Sequence, residues 1–357
     1  MRPSFDQSYD NQGMYSLLQT FPEQCAQACR LKIPGKLRGS FDRLCLVGMG
    51  GSGIALEVIQ SIAGPKTAIP IFLHRNYGLP AWVGPTSLVI CSSYSGNTEE
   101  VLSAYRQAKR KGCLIGVITS GGKLLALAQE DRYPAIVVPG KLPPRCALGY
   151  MFFPLLRWMR NLQILPRSPS LKVLLKIVSF SVARYLSKRK LNYAQKLALL
   201  FRDHVPVLYS DQESFPAALR WKQQLAENSK MFVTIGVLPE MNHNEIMAWH
   251  FPAWLITKAL PVFFTGHPVD AKLLRRFMLT KRIIRPQSKN VVTVTCGGKT
   301  LIEKLLRLII LGDWVSYYLA LLNRVDPTEI QEINLLKKSL SSITTEENDG
   351  RHLSVHF

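Results

Sequence analysis

Two polar loops in the first half of the sequence hold the residue types best suited to gripping an anion. Gly48-Met49-Gly50-Gly51-Ser52-Gly53 and Ser92-Ser93-Tyr94-Ser95-Gly96-Asn97-Thr98 each follow a short apolar run and precede a helical pattern. A turn from strand to helix presents free backbone N–H groups at the positive end of the helix dipole, and Ser or Thr hydroxyls beside them can donate to phosphate oxygens. Ser52, Ser93, Ser95 and Thr98 are the candidate phosphate ligands, and Gly50 and Gly51 would let backbone approach the ligand. Each loop also has a plainer reading. The glycines suit any tight turn, and Ser, Asn and Thr are ordinary helix caps, here followed by Glu99-Glu100. The first loop further fits GxGxxG, the dinucleotide fingerprint. That fold wants a ribose-binding acid about 20 residues on, where this sequence reads Phe72-Leu73-His74-Arg75. Two hydroxyl-rich loops at the ends of two strands of one sheet favour a phosphomonoester over a dinucleotide.

The second half offers an acid and an imidazole. Glu227 lies in a helical stretch with Asn228 and Lys230, where by itself it is equally an exposed helix carboxylate. His243 sits among Asn242, Asn244 and Glu245. His243 and His250 are separated by seven positions, unlike the i, i+4 pair of HExxH. Cys25 and Cys29 have no second ligand pair beside them. No metal and no cofactor is expected. His250, Cys91 and Cys146 read as packed residues.

Positioning these groups requires parallel sheets. Apolar strand patterns at 43–47, 69–73, 87–91, 114–119 and 135–138 alternate with helical patterns at 54–63 and 98–111 and a short helix after Gly121-Gly122. Short apolar runs separated by helices imply a parallel sheet covered on both faces. The pattern restarts with strands at 205–209, 232–235, 260–264 and 291–295, a helix at 213–230, and helices between the later strands. An apolar helix is predicted at 301–322. A last helix at 328–340 would begin from Asp326-Pro327, since proline is tolerated in a first turn. Residues 341–357 are polar and expected to be loose at their end. The fold class is therefore α/β, with residues 1–160 and 191–357 as two halves joined by a basic connection at 161–190 that includes an amphipathic helix.

Composition bounds the rest. The 357 residues carry 45 Lys and Arg against 24 Asp and Glu, a net charge of +21, and 47% are hydrophobic, which excludes a disordered chain. Nine basic residues and no acid fall between 151 and 190, and Arg275, Arg276, Lys281, Arg282, Arg285 and Lys289 form a second cluster. A cradle of hydroxyls and N–H groups needs little of this charge, so it reads as a surface property that draws in anionic substrates, not as nucleic-acid binding. The opening MRPSFDQSYD has no apolar signal core, and the most apolar late stretch contains Arg307, Gly312 and Asp313, so no membrane partner is expected. Seven scattered cysteines point to reduced thiols in the cytoplasm.

GMGGSG, SSYSGNTEE, ITSGGKL and PPRCALGY together resemble the sugar isomerase (SIS) domain. The segments RWKQQLAENSK from Arg220 and PEMNHNEI from Pro239, with Val325-Asp326-Pro327-Thr328 and Leu336-Lys337, are similar to the second half of bifunctional phosphoglucose/phosphomannose isomerases. The resemblance spans about residues 20–340 and implies two SIS-type, doubly wound halves. It further implies isomerisation of glucose 6-phosphate or mannose 6-phosphate to fructose 6-phosphate through a cis-enediol(ate). In that family, the acid matching Glu227 moves the proton between C1 and C2, and His243 assists ring opening across the interface of a homodimer. Arg145 would neutralise the enediolate, as an always-charged guanidinium can. Lys337 matches a late lysine that helps ring opening, although Lys338 beside it blurs the register. Two other readings stay open: a non-catalytic SIS phosphosugar-binding regulator, against which Glu227 and His243 argue, and an isomerase of another phosphosugar.

Overall fold

The first sheet forms from the buried apolar runs between the glycine-rich turns. A computed structural model describes residues 5–35, 37, 39–64, 67–165, 169–186, 190–265, 270–288 and 290–347, with side chains described through 340. Two short helices, α1 (Met14–Gln19) and α2 (Phe21–Ala28), come first. Then follow β1 (Arg43–Gly48), α3 (Gly50–Ala63), β2 (Ile71–His74), β3 (Ser87–Ser92), α4 (Glu99–Arg110), β4 (Leu114–Thr119), α5 (Gly122–Glu130) and β5 (Ala135–Val137). The strands are parallel in the order β2-β1-β3-β4-β5. Every residue of β3 is buried, as expected of a central strand covered on both faces.

Three helices lead to the second sheet: α6 (Leu148–Asn161), α7 (Leu171–Leu186) and α8 (Tyr193–Phe201). There β6 (Val205–Asp211), α9 (Phe215–Ser229), β7 (Thr234–Leu238), α10 (Ala253–Ile256), β8 (Ala259–Thr265), α11 (Ala271–Ile284) and β9 (Val292–Thr295) follow in order. This sheet is also parallel, ordered β7-β6-β8-β9, which repeats the β2-β1-β3-β4 order of the first. The chain closes with α12 (Leu301–Asn323) and α13 (Gln331–Glu347).

Helix α12 is the spine. It packs against α7, α8 and α9 and also touches α1 and α3, so it joins both halves, and the largest buried cluster runs through both. By length and composition it could cross a membrane, but 89% of its most apolar window is buried inside the protein. Gly312 allows the closest approach. A Cβ there would strike the Trp221 indole, whose Nε1 donates to the Leu308 carbonyl at 2.7 Å. This contact sets α9 tightly on α12.

Several boundaries differ from the sequence pattern, β2 among them at Ile71–His74 against an expected 69–73. The helix expected from residue 54 starts at Gly50, because Gly53 N bonds Met49 O at 3.0 Å and closes the first turn within the glycine run. The strand expected at 232–235 is β7, at Thr234–Leu238. The helix expected from 328 starts at Gln331, because the carbonyls of 326–329 face cations instead of helical N–H groups. Helical structure continues to Glu347, and 348–357, the end expected to be loose, lies outside the described residues.

Candidate active site

The two hydroxyl-rich loops meet at the C-terminal ends of β1 and β3. Ser52, in the first turn of α3, accepts a 2.9 Å bond from Tyr94 N, and its hydroxyl proton has no acceptor among the described residues. Ser93 Oγ lies 2.8 Å from Thr98 Oγ1 and accepts from Gly96 N at 3.1 Å. Ser52 and Ser93 are buried, Thr98 is half-buried and Ser95 is exposed. Thr98 precedes α4 without a side-chain capping bond. Gly50 is left-handed, with φ +47, and a Cβ there would meet nothing within 4 Å, so open space faces the loop. Gly96 is required sterically: at φ +69, a Cβ would run into the Gly121 carbonyl.

Arg145 stands against this cradle. It lies in a single 3-10 turn, Pro144–Cys146, just before α6. A Cβ on Gly51 would come 3.1 Å from the Arg145 Cα and the Pro144 carbonyl. Tyr94 also ties the serine loop to the approach to this turn. Its hydroxyl donates to Pro139 O at 2.9 Å and accepts from Leu142 N at 3.1 Å.

The Arg145 side chain is 2% exposed and lies across the end of α9. Its Nε donates to Asn228 Oδ1 at 2.7 Å, its Nη2 to the carbonyls of Pro327 and Thr328 at 2.8 Å each, and its Nη1 is 3.6 Å from Glu227 Oε2. Glu227 is 25% exposed, so its carboxylate is open on one side and held by a buried cation on the other. Lys230 ends α9 in a left-handed conformation and donates to the carbonyls of Glu227, Asp326 and Glu329 at 2.7–3.0 Å. Burial, with the Arg145 cation nearby, holds the Lys230 ammonium below its ordinary pKa. Arg145 and Lys230 thus clamp the 326–329 turn onto α9.

The remaining expected residues lie elsewhere. His243 is exposed, in a 3-10 turn after β7 at the edge of the second sheet. Its side chain makes no hydrogen bond or ion pair among the described residues. Nearby, Asn242 Nδ2 donates to Thr280 Oγ1 at 2.7 Å, and burial pushes the Glu245 carboxyl up. Lys337 lies on α13, where every residue described to 340 is exposed. The structure therefore joins Ser52, Ser93, Thr98, Gly51, Arg145 and Glu227 in one place, and His243 and Lys337 are not part of that group.

Several residues at the site were not singled out for a role in the sequence. Asn228 and Lys230 were visible only as neighbours of Glu227. Asp313 and Ser316 stand out as polar residues in an apolar helix, and both face α9. The matching end of the second sheet is closed: Lys304 Nζ lies 3.8 Å from Asp211 Oδ2 with both side chains buried, and Ser214 N bonds Asp211 Oδ1 at 2.6 Å. Among the described residues, no three His, Cys, Asp or Glu side chains are placed to hold a metal ion.

Two parallel sheets with a hydroxyl-lined loop pair at the strand ends define an SIS-type phosphosugar fold. The C-terminal domain of glucosamine-fructose-6-phosphate aminotransferase from Francisella tularensis shares this fold, with a TM-score of 0.68 at 13% identity over 91% of this chain and all of that one. Residues 190–340 match the family described as the bacterial phospho-glucose isomerase C-terminal SIS domain. Among relatives, the bifunctional phosphoglucose/phosphomannose isomerase of Caldicellulosiruptor bescii is 35% identical over 92% of this chain and 99% of its own. That of Thermoplasma volcanium is 31% identical over 85% and 93%. The chain belongs to the bifunctional phosphoglucose/phosphomannose isomerase family.

Proposed function

We propose that this chain interconverts glucose 6-phosphate and mannose 6-phosphate with fructose 6-phosphate. It is an isomerase of the aldose–ketose type. The observation that carries the substrate reading is the Arg145–Glu227 pair, 3.6 Å apart and set against the Ser52–Ser93 cradle. Ser52, Ser93, Ser95 and Thr98, with backbone at Gly50 and Gly51, hold the phosphate. Glu227 removes the proton from C2 or C1 and returns it to the other carbon. The Arg145 cation faces the developing enediolate oxygen. Epimers at C2 give the same enediolate, so one base serves both aldoses.

Ring opening falls to His243 and Lys337, neither of which bonds Glu227 within its own chain among the described residues. A homodimer, with His243 of one chain completing the site of the other, accounts for this. The segment after His243 exposes Met247, Phe251 and Trp254, which are 72–82% exposed, and α13 exposes Leu335 and Leu336. A second copy would cover such surface. All seven cysteines are free thiols, which supports a reducing cytoplasm.

The test is coupled turnover of fructose 6-phosphate to glucose 6-phosphate, and separately of mannose 6-phosphate. The wild-type protein turns over both, and Glu227→Gln turns over each at least about 100-fold more slowly. Equal rates for the two proteins would sink the reading.

A further inference from the structure

Arg145 is held at its backbone as well as at its side chain, and both holds return to one helix. Arg220 Nη2 donates to the Arg145 carbonyl at 2.5 Å. The same guanidinium pairs with Asp313, Nε to Oδ1 at 2.9 Å and Nη2 to Oδ2 at 3.2 Å. Asn228, which accepts from Arg145 Nε, donates to Ser316 Oγ at 2.9 Å, and Ser316 Oγ donates to the Asp313 carbonyl at 2.8 Å. Arg220, Asp313, Asn228 and Ser316 are all buried. The loop of bonds runs from α12 through α9 to the Arg145 turn and back.

We propose that Arg220 and Asp313 are positioning residues that fix the Arg145 guanidinium for catalysis. The proposal rests on the isomerase reading of the site. Pro143 and Pro144 and the single 3-10 turn set the course of the chain into Arg145. The charge-assisted bond from Arg220 to the Arg145 carbonyl holds the far side of that turn. Arg220 can serve only while its own cation is held. Its Nη1 has no hydrogen-bond partner, so Asp313 and the Arg145 carbonyl are its only bonded partners among the described residues. Neither Arg220 nor Asp313 is placed to touch the substrate. Loss of the pair therefore acts through Arg145 on the chemical step and leaves the phosphate cradle alone.

The test uses Asp313→Asn, which keeps shape and removes charge. It also uses the double variant Arg220→Met/Asp313→Leu, because an apolar replacement of a buried pair generally folds. Both are compared with Arg145→Lys and with the triple combination. The expected result is a cooperative melt, KM within about twofold of wild type and kcat lower by roughly 10- to 100-fold, the scale of a sub-ångström to 1 Å misplacement. The triple variant should be no slower than Arg145→Lys alone, since both changes act on one group. By NMR, the Arg145 Nε–H, slow to exchange in the wild type through its bond to Asn228, should exchange faster in both pair variants. A folded double variant with wild-type kcat and a protected Nε–H overturns the proposal, as does full additivity with Arg145→Lys. A wild-type protein with no turnover of hexose 6-phosphates overturns the isomerase reading instead, and the Nε–H exchange then decides whether the pair positions Arg145.

Discussion

Gly51→Ala tests whether the cradle and Arg145 are one mechanical unit. The added Cβ would lie 3.1 Å from the Arg145 Cα and the Pro144 carbonyl and 3.3 Å from Arg145 N. All three are backbone atoms, which cannot swing aside as a side chain does. Ordinary contact begins near 3.4 Å, so the Arg145 turn must retreat by about 0.3 Å. If a 1 Å misplacement costs roughly 100-fold, a shift of this size lowers kcat by about fourfold. Gly50→Ala is the control. Its Cβ meets open space, but φ is +47, which costs on the order of 1–2 kcal/mol for a residue with a side chain. Steady-state kinetics with fructose 6-phosphate and a thermal melt separate the two. Gly51→Ala should lower kcat with KM little changed, while Gly50→Ala should lower the melting temperature and raise KM by crowding the phosphate. A Gly51→Ala protein with wild-type kcat would refute the mechanical link.

Four further outcomes are expected. Glu227→Gln should reduce kcat by roughly 10²- to 10⁴-fold with an unchanged melting temperature, since Glu227 is partly exposed and makes one loose ion pair. Gly96→Ala should destabilise the protein by more than about 1 kcal/mol, because left-handed strain adds to a collision with the Gly121 carbonyl, and an unchanged melt contradicts this. Burial holds Lys304 below the ordinary lysine pKa of 10.5, so its favourable contribution is fully present above 10.5 and is lost as pH falls through the depressed folded value. Relative to Lys304→Met/Asp211→Asn, the wild type should therefore gain stability as pH rises across that window, read by melts at stepped pH, and parallel pH curves would contradict it. Light scattering should give a dimer, and charged substitutions at Phe251 and Trp254 should yield monomers of reduced activity; a fully active monomer would rule out a shared site.

The alternating sheets were legible because buried parallel strands announce themselves as short apolar runs between glycines and polar turns. The pattern failed where no period exists. Helix α6 reads LGYMFFPLLRWMRN and buries every residue from Leu148 to Leu156, so that run shows no polar face and carries Pro154 inside. Helices α1 and α2 share Thr20 as end and start, and the side chain that meets the first N–H groups of α1 is Asp10, outside the usual cap position. The cradle was readable because Ser52, Ser93 and Thr98 are local to two turns. The clamp on Arg145 was not, since Asn228, Pro327, Thr328, Arg220 and Asp313 come from three distant segments and meet only when α12 packs on α9. The start of α13 departs from the sequence pattern for the same reason: Arg145 and Lys230 take the carbonyls that a helix from 328 would use.

Proton bookkeeping at the sugar carbon tests the central claim most directly. Fructose 6-phosphate is incubated with the enzyme in deuterium oxide, and the aldose products are read by NMR at C2. If Glu227 takes and returns the proton beside Arg145, its part-exposed carboxyl exchanges some of that proton while holding it, so solvent deuterium appears at C2 of a fraction of both glucose 6-phosphate and mannose 6-phosphate, and Glu227→Gln forms label and product at least about 100-fold more slowly. Deuterium entering at the wild-type rate with Glu227→Gln would contradict the account.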